Sequence, residues 1–257
     1  MSASTDPFAL SETAIAAGYE LVVYETIGST NDAAFERARE GANRTWVVAR
    51  EQTAGRGRHG RQWQSPPGNL YASLVLVDVA TPQRASQIGF VAGIALACAL
   101  RQLVAEPSHI RVKWPNDILL ADAKLAGILV EGRALPGGAY AIVAGFGVNC
   151  QSCPPDLPYR AAALVEAAGA TRSKAADVLS LLSGQMADWL GVFEQGFDAI
   201  RAEWLSLAAG IGAQIKVKTA TQQFEGIFQS IDADGRLILV DASGAHAIEA
   251  GDVLLGH

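Results

Sequence analysis

The chain has 257 residues, half of them hydrophobic and 18% charged, with a formal net charge of -6 at pH 7. That length holds one large domain, or a large one with a small companion. The composition excludes wholesale disorder, and the acidic balance argues against a general nucleic-acid binder, which usually shows a basic domain.

In chain order, a short helix is expected over residues 9–17, with Ser11 giving only a poor cap. Residues 1–18 show neither a basic start nor a sustained apolar run, so no secretory leader is expected. No additional N-terminal domain is expected before Glu20. "ELVVYETIG" reads as a strand. "STNDAAFERAREG" reads as a helix with cap-type residues at 29–32 and a stop at Gly41. "TWVVARE" is a strand that runs straight into "TAGRGRHGRQW", and "NLYASLVLVD" alternates before becoming fully apolar, as a central strand does. Residues 83–103 read as a long buried helix, interrupted by Arg101 and Gln102 and too short to span a membrane. "IRVKWPNDILL" is two short strands hinged at Pro115-Asn116-Asp117. "KLAGILVEGRAL" and "AYAIVAGFGVNC" are strands joined by the turn residues Pro136-Gly137-Gly138, which predicts a hairpin. Residues 173–193, capped by Ser173, and 197–207 read as two helices. From Gly212 the texture changes to short strands, "AQIKVKT", "QFEGIFQSID" and "RLILVD", which predicts a small all-β module. The boundaries are therefore 1–210 and 211–257. Several adjacent strands can pair without crossover helices, so the fold class is α+β with a mixed sheet and helices.

Between Gly55 and Arg61 lie three arginines, three glycines and a histidine. Glycines at this spacing allow positive φ and close approach of backbone N–H groups to an oxygen ligand. Arginine forks match carboxylate or phosphate. The segment reads either as an anion clamp or as a solvated basic loop. It is neither a Walker loop, since no G-x-x-x-x-G-K-[ST] occurs, nor a dinucleotide fingerprint, since the glycine spacing differs and no helix follows directly.

Other constellations carry two readings each. "KWPNDI" sets Lys113, Asn116 and Asp117 around a proline turn, either to grip a polar ligand or simply as an Asx turn. Lys124 heads a buried-looking strand, as a solvated lysine or as a cation facing a developing oxyanion. Gly145 and Gly147 in "GFGVN", with Asn149 at the strand end, mark close approach of a ligand or of another backbone. "GSTND" is a helix cap or a binding corner. Cys150 and Cys153 form a lone C-x-x-C without the further ligands a zinc site needs, and the three cysteines make no disulfide framework. His109, His246 and His257 read as surface or structural residues, and His59 has no assigned task.

Together and in this order, "STN", "GRGRHGRQW", "KWPNDI", "KLAGILVE" and "GFGVN" resemble the bacterial biotin protein ligases, from about Val22 to the end of the chain. The resemblance implies biotin and ATP as substrates, with Mg²⁺ accompanying ATP. Biotinyl-5′-AMP would form with release of pyrophosphate, and biotin would pass to a lysine of the biotin carboxyl carrier domain of a carboxylase. It implies a class II aminoacyl-tRNA synthetase-like, biotin ligase-like catalytic domain over 1–210 and an SH3-like β-barrel over 211–257. By the same resemblance Ser29, Thr30, Asn31, Gln52, Gly55, Arg56, Gly57, Arg58, Lys124 and Gly127 would bind biotin. Arg58, Arg61, Trp63, Lys113, Asn116 and Asn149 would serve ATP and the adenylate, with Lys124 and Arg58 in the catalytic roles and no metal ligand set assigned to the protein. The loop would close over the adenylate and shield it from water. A cytoplasmic location, a monomer or homodimer, and no nucleic-acid or membrane partner complete the expectation.

Overall fold

The structure is a computed structural model that describes residues 7–155, 157–170 and 173–255; His257 lies outside them. Helix α1 (Glu12–Ala16) is shorter than expected, and Ser11 caps it well: its hydroxyl accepts from the Ala14 backbone N–H at 3.1 Å. The Ser11 N–H in turn donates to Ser183 Oγ at 2.9 Å, fastening this end of the chain to a later helix.

Strands β1 (Glu20–Ile27) and β2 (Thr45–Gln52) pair in parallel, with α2 (Thr30–Arg39) as the crossover that a parallel pair requires. Strands β3 (Leu70–Val77), β4 (Ile110–Lys113), β5 (Asp117–Leu120), β6 (Ala123–Ala134) and β7 (Tyr140–Val148) complete a seven-stranded sheet in the order β1-β2-β3-β7-β6-β5-β4. Every pairing after β1–β2 is antiparallel, so the sheet is mixed, as expected.

Alternation along the strands divides the core into two faces. Val47, Val75, Ala141 and Val143 point to one side and meet Ala33, Ala34, Phe35 and Ala38 of α2. Trp46, Val48, Leu74, Leu76, Ile142 and Ala144 point to the other, against α3 (Gln87–Arg101), α4 (Ala175–Phe193) and α5 (Asp198–Leu207). Helix α3 is buried along nearly its whole length, which explains its uninterrupted apolar run. It starts later than expected because Pro82 opens a separate 3₁₀ turn over Pro82–Arg84. Helix α4 is capped at Lys174, not Ser173, whose hydroxyl accepts from the Gln151 side chain at 3.1 Å.

The C-terminal segment forms a second sheet of five strands in the order β11-β10-β9-β8-β12: β8 (Gln214–Lys218), β9 (Gln223–Ile231), β10 (Leu237–Asp241), β11 (Gly244–Ile248) and β12 (Asp252–Leu255). Sequence patterning anticipated the first three and missed the last two. The sheet is attached by polar contacts to the main body. Trp114 Nε1 donates to the Gly235 carbonyl at 3.1 Å and Gln87 Nε2 to the Ala233 carbonyl at 3.2 Å. No helix among the described residues is long and apolar enough to cross a membrane.

Candidate active site

The site forms where β1 and β2 end and α2 begins. The register pairs Ile27 with Gln52, which puts the start of α2 beside the Gln52 amide. Gln52 Oε1 accepts from the Thr30 backbone N–H at 2.8 Å and lies 3.0 Å from its hydroxyl. Ser29 occupies the cap position, yet its side chain makes no cap bond. "GSTND" therefore starts the helix without a Ser29 side-chain cap, and its Thr30 is tied to Gln52 instead.

Behind this corner, Gly145 of β7 lies between Ser73 of β3 and Leu129 of β6. A Cβ at Gly145 would stand 2.1 Å from Asn31 Oδ1, so only glycine lets Asn31 rest on the sheet. Asn31 is buried; its Nδ2 donates to Glu131 Oε2 at 2.7 Å, and its Oδ1 accepts from Ser73 Oγ at 2.6 Å. The neighbouring glycine pair, Gly127 opposite Gly147, makes a bare strip on which the Trp63 indole lies. A Cβ at Gly147 would meet the ring at 2.5 Å and one at Gly127 at 3.1 Å. The Trp63 Nε1 is buried and finds no acceptor among the described residues.

The Gly/Arg loop is a short hairpin. Gly57 N–H donates to the Arg61 carbonyl at 2.7 Å, and Trp63 N–H to the Gly55 carbonyl at 2.9 Å. Its tip, Arg58–Gly60, turns through positive φ at His59 (56°) and Gly60 (69°). His59 thus carries part of the turn expected of glycine; histidine is among the residues that tolerate this region. Gly55 and Gly57 need no positive φ. Gly55 is required by closeness instead, since a Cβ there would stand 2.6 Å from the Trp63 carbonyl.

Each loop arginine has its own partner. Arg56 grips Asp32 through two bonds of 2.6 and 2.8 Å and comes within 3.8 Å of Glu131. The Arg56 hydrogen bond holds the Asp32 carboxyl below its usual range, against partial burial. Arg58 donates to Asn116 Oδ1 at 3.1 Å and to the Gly251 carbonyl at 3.4 Å. Burial draws its pKa down, though a guanidinium stays charged at any working pH. Arg61 pairs with Asp252 of β12. Burial opposes ionisation of Asp252, but the Arg61 hydrogen bond and the charges of Arg61, Arg58 and His59 together leave its pKa below the usual value.

Lys124 Nζ sits 2.7 Å from Asp117 Oδ1 and beside the rings of Trp63, at 5.6 Å, and Tyr159, at 5.4 Å. Burial lowers the Lys113 pKa, with the Asp117 charge acting in the opposite direction. The Asn116 side chain donates to the Ile128 carbonyl at 2.7 Å while accepting from Arg58. The "KWPNDI" turn therefore joins β6 to the loop.

Ser29, Thr30, Asn31, Gln52, Arg56, Gly57, Arg58, Arg61, Trp63, Asn116, Lys124 and Gly127 all line one cleft. Gly55, at the base of the loop, is not among the lining residues. Lys113 stands outside the cleft lining. Asn149 lines a second hollow on the far side of Trp63 and Lys124, with Tyr159, and its amide donates to the Ala162 carbonyl at 3.2 Å. Sequence reasoning missed Ser73, Glu131, Tyr159 and Asp252. Ser73 had a signal, a lone serine inside the apolar run "YASLVLV"; Asp252 had none. Cys150 is buried, with its thiol pushed up to about 12 by burial. No group of three or more His, Cys, Asp or Glu among the described residues is placed to hold a metal ion.

The cleft thus has a neutral floor of amides and hydroxyls and a rim of cations. That pairing suits a small molecule with a polar neutral end and a negatively charged end, joined to phosphate. Residues 23–149 match the model of the biotin/lipoate A/B protein ligase family, and residues 210–256 match that of the biotin protein ligase C-terminal domain. The chain belongs to this family, on its biotin protein ligase branch. It is 38% identical over 233 residues to a biotin–[acetyl-CoA-carboxylase] ligase of Paracoccus denitrificans, covering 89% of this chain and 97% of the relative. A bifunctional ligase/repressor of Bacillus subtilis is 33% identical over 245 residues, 93% of this chain and 75% of that protein. The biotin protein ligase of Aquifex aeolicus, solved in complex with biotin and ATP, superposes with a TM-score of 0.77 at 26% identity over 92% of this chain and 98% of its own.

Proposed function

We propose that this chain is a biotin protein ligase that forms biotinyl-5′-AMP from biotin and ATP and transfers biotin to a lysine of a biotin carboxyl carrier domain. The observation that carries this reading is the meeting, in one cleft, of the neutral Thr30–Gln52–Asn31 floor with the Arg58, Arg61 and Lys124 cations. The floor would take the urea ring of biotin. The glycine strip at Gly127 and Gly147 is covered by the Trp63 indole, which would turn aside to admit the rest of the molecule close to the sheet. In the first step a biotin carboxylate oxygen attacks the α-phosphorus and pyrophosphate leaves. Two anions approach, and fixed cations offset their repulsion and stabilise the charge that gathers on the phosphoryl oxygens. Lys124 would serve at that junction together with Arg58, both of which line the cleft. In the second step the neutral amine of the acceptor lysine attacks the mixed anhydride carbonyl and AMP departs. No nucleophile from this chain is needed.

Mg²⁺ would enter with the phosphates of ATP and offset their charge. Asp117 and Asp252, the carboxylates in the cleft lining, are engaged by Lys124 and Arg61, so the protein's part is to place its own cations around the nucleotide. Asn149 and Trp63 would border the nucleoside, and Lys113 would act on the phosphates through its charge. The loop from Gly55 to Arg61 would close over the adenylate and exclude water. We assign residues 1–210 to a catalytic domain related to class II aminoacyl-tRNA synthetases and 211–257 to an SH3-like barrel. The enzyme would work in the cytoplasm as a monomer or homodimer without a nucleic-acid partner.

Incubation with labelled biotin, MgATP and an unmodified carrier domain should label the carrier, with excess lipoate failing to compete. Folded protein that leaves the carrier unlabelled refutes the reading, and displacement of biotin by lipoate moves the substrate to longer acyl chains.

A further inference from the structure

Glu131 touches none of the chemistry described above, yet it ends a hydrogen-bond chain that runs through the binding corner. Asn31 Nδ2 donates to Glu131 Oε2 at 2.7 Å and, more weakly, to the Leu129 carbonyl at 3.4 Å. Asn31 Oδ1 lies 2.6 Å from Ser73 Oγ, which lies 2.8 Å from Thr30 Oγ1. Thr30 bonds to Gln52 Oε1, Gln52 Nε2 donates to Ser65 Oγ at 3.1 Å, and Ser65 donates to the Trp63 carbonyl at 3.1 Å. The chain joins β6 to the exit of the Gly/Arg loop.

Its direction follows from proton counting. A carboxylate only accepts, so Asn31 must turn its NH₂ to Glu131 and its oxygen to Ser73. Ser73 has one hydroxyl proton and gives it to Asn31, the partner with no proton on that side. The Thr30 proton then goes to Ser73 or to Gln52 Oε1, both inside the network. In either case the Thr30 oxygen keeps only acceptor capacity for whatever enters the cleft.

We propose that Glu131 is a positioning residue that sets this direction, so that Thr30 meets the ligand as an acceptor only and selects a ring N–H donor. This rests on the reading of the site as a biotin pocket, whose urea carries such donors. The same count gives Asn31 a positioning part in that floor: its amide is buried and both its ends are engaged by protein groups, so it orients Thr30 for the ligand. The surrounding charges hold Glu131 in place. Arg56 and Arg133 approach it to 3.8 Å each, and both also reach Asp32.

The test reads biotin affinity by titration calorimetry, without turnover. Asn31→Asp puts two carboxylates face to face and should weaken biotin by about a hundredfold or more, since a buried polar group loses its partner. Glu131→Gln removes the acceptor-only end of the chain, because its amide can turn either way, and should weaken biotin by about three- to tenfold. The double variant Asn31→Asp, Glu131→Gln restores a donor–acceptor pair, in which the introduced amide donates to the introduced carboxylate, and should recover at least tenfold of the loss. A merely structural role gives no such recovery, because both variants leave the packing volume unchanged. Melting curves separate affinity loss from unfolding. Methylation of the biotin ring nitrogens should weaken parent binding by about tenfold or more, and desthiobiotin, which keeps both N–H groups, should bind. An unrecovered double variant, or Glu131→Gln that binds biotin as tightly as the parent, overturns the proposal while leaving the ligase reading intact. Parent protein that binds no biotin overturns the reading itself.

Discussion

The sharpest consequence of the site's geometry concerns two glycines separated by one residue. Gly145→Ala places a methyl 2.1 Å from Asn31 Oδ1, 2.9 Å from its Cγ and 3.1 Å from its Nδ2. Asn31 cannot shift without loss, since hydrogen bonds to Glu131, Ser73 and Leu129 hold it. Displacing it breaks the bonds to Ser73 and Glu131. Ser73 is fully buried and loses its acceptor. A buried polar group left without its partner costs about 1–3 kcal/mol, so with partial relaxation of β7 the variant should lose about 2–4 kcal/mol, a large share of the roughly 5–15 kcal/mol typical of a domain. Gly147→Ala is the matched control. Its methyl meets only the Trp63 ring, at 2.5 Å, and that ring sits at the partly exposed end of a loop. The ring can swing outward, and alanine is favoured over glycine in a strand by roughly 0.5–1 kcal/mol, so the net loss should be about 1 kcal/mol or less. Urea unfolding measures both, with biotin affinity as a second readout that falls for Gly145→Ala. A loss below about 1 kcal/mol for Gly145→Ala, or a larger loss for Gly147→Ala, would refute the claim that Asn31 is locked by its neighbours.

Arg58→Ala should leave the fold intact, because its bonds go to one amide and one carbonyl at the cleft mouth; release of biotinyl-AMP should quicken about tenfold or more, and unchanged leakage in a filter assay counts against the loop as a shield. Lys124→Ala should slow adenylate formation by about a hundredfold or more and leave transfer from preformed adenylate less affected; single-turnover measurements of the two steps separate them, and the reverse pattern assigns Lys124 wrongly. Asp252→Ala should change stability by less than about 1 kcal/mol, since the Arg61 pair is largely exposed, yet make the Gly/Arg loop more open to limited proteolysis. The Asp252 pKa is depressed in the folded state, so its contribution is present above the unfolded value, about 3.9. It disappears only as pH falls through the lower folded value. Loop protection should therefore hold at pH 5 and fade in acid, below about pH 4; fading already near neutrality would point to another group.

The main body was legible because its elements repeat with clear periods. Strands β2, β3 and β7 read as apolar runs, α3 as a buried helix, and the turn at residues 136–138 as a hairpin. The strands that escaped are those without a pattern. In β11 only Ile248 is buried, and β12 is four residues long, so neither shows the alternation that betrays a strand. The Ser173 cap was misread because its hydroxyl serves a side chain distant in sequence. The cleft was legible in its loop, its lysine and its glycines, since each is a residue type that stands out locally. Its partners were not. Asp252 meets Arg61 across 191 positions and Glu131 meets Asn31 across 100, and a single acidic residue in a polar segment carries no mark of the cation it will face.

The loop also shows why like residues in one motif need not share one task. Arg56 is neutralised from two sides, by the fork to Asp32 and by Glu131 nearby, so its charge is spent on fastening the loop entry to α2. Arg61 faces one carboxylate that is itself half-exposed; such a pair is weak and can exchange Asp252 for an incoming phosphate. Arg58 binds only neutral oxygens, of Asn116 and Gly251. Those contacts fix its direction without cancelling its charge, and burial strengthens its field within the cleft. Of the three it is the one without a hydrogen bond to a carboxylate, whereas Arg56 is tied to α2 and Arg61 to β12. The acidic chain therefore carries a basic loop without strain, because two of its arginines have protein carboxylates as partners and the third, on the proposed function, would meet the ligand.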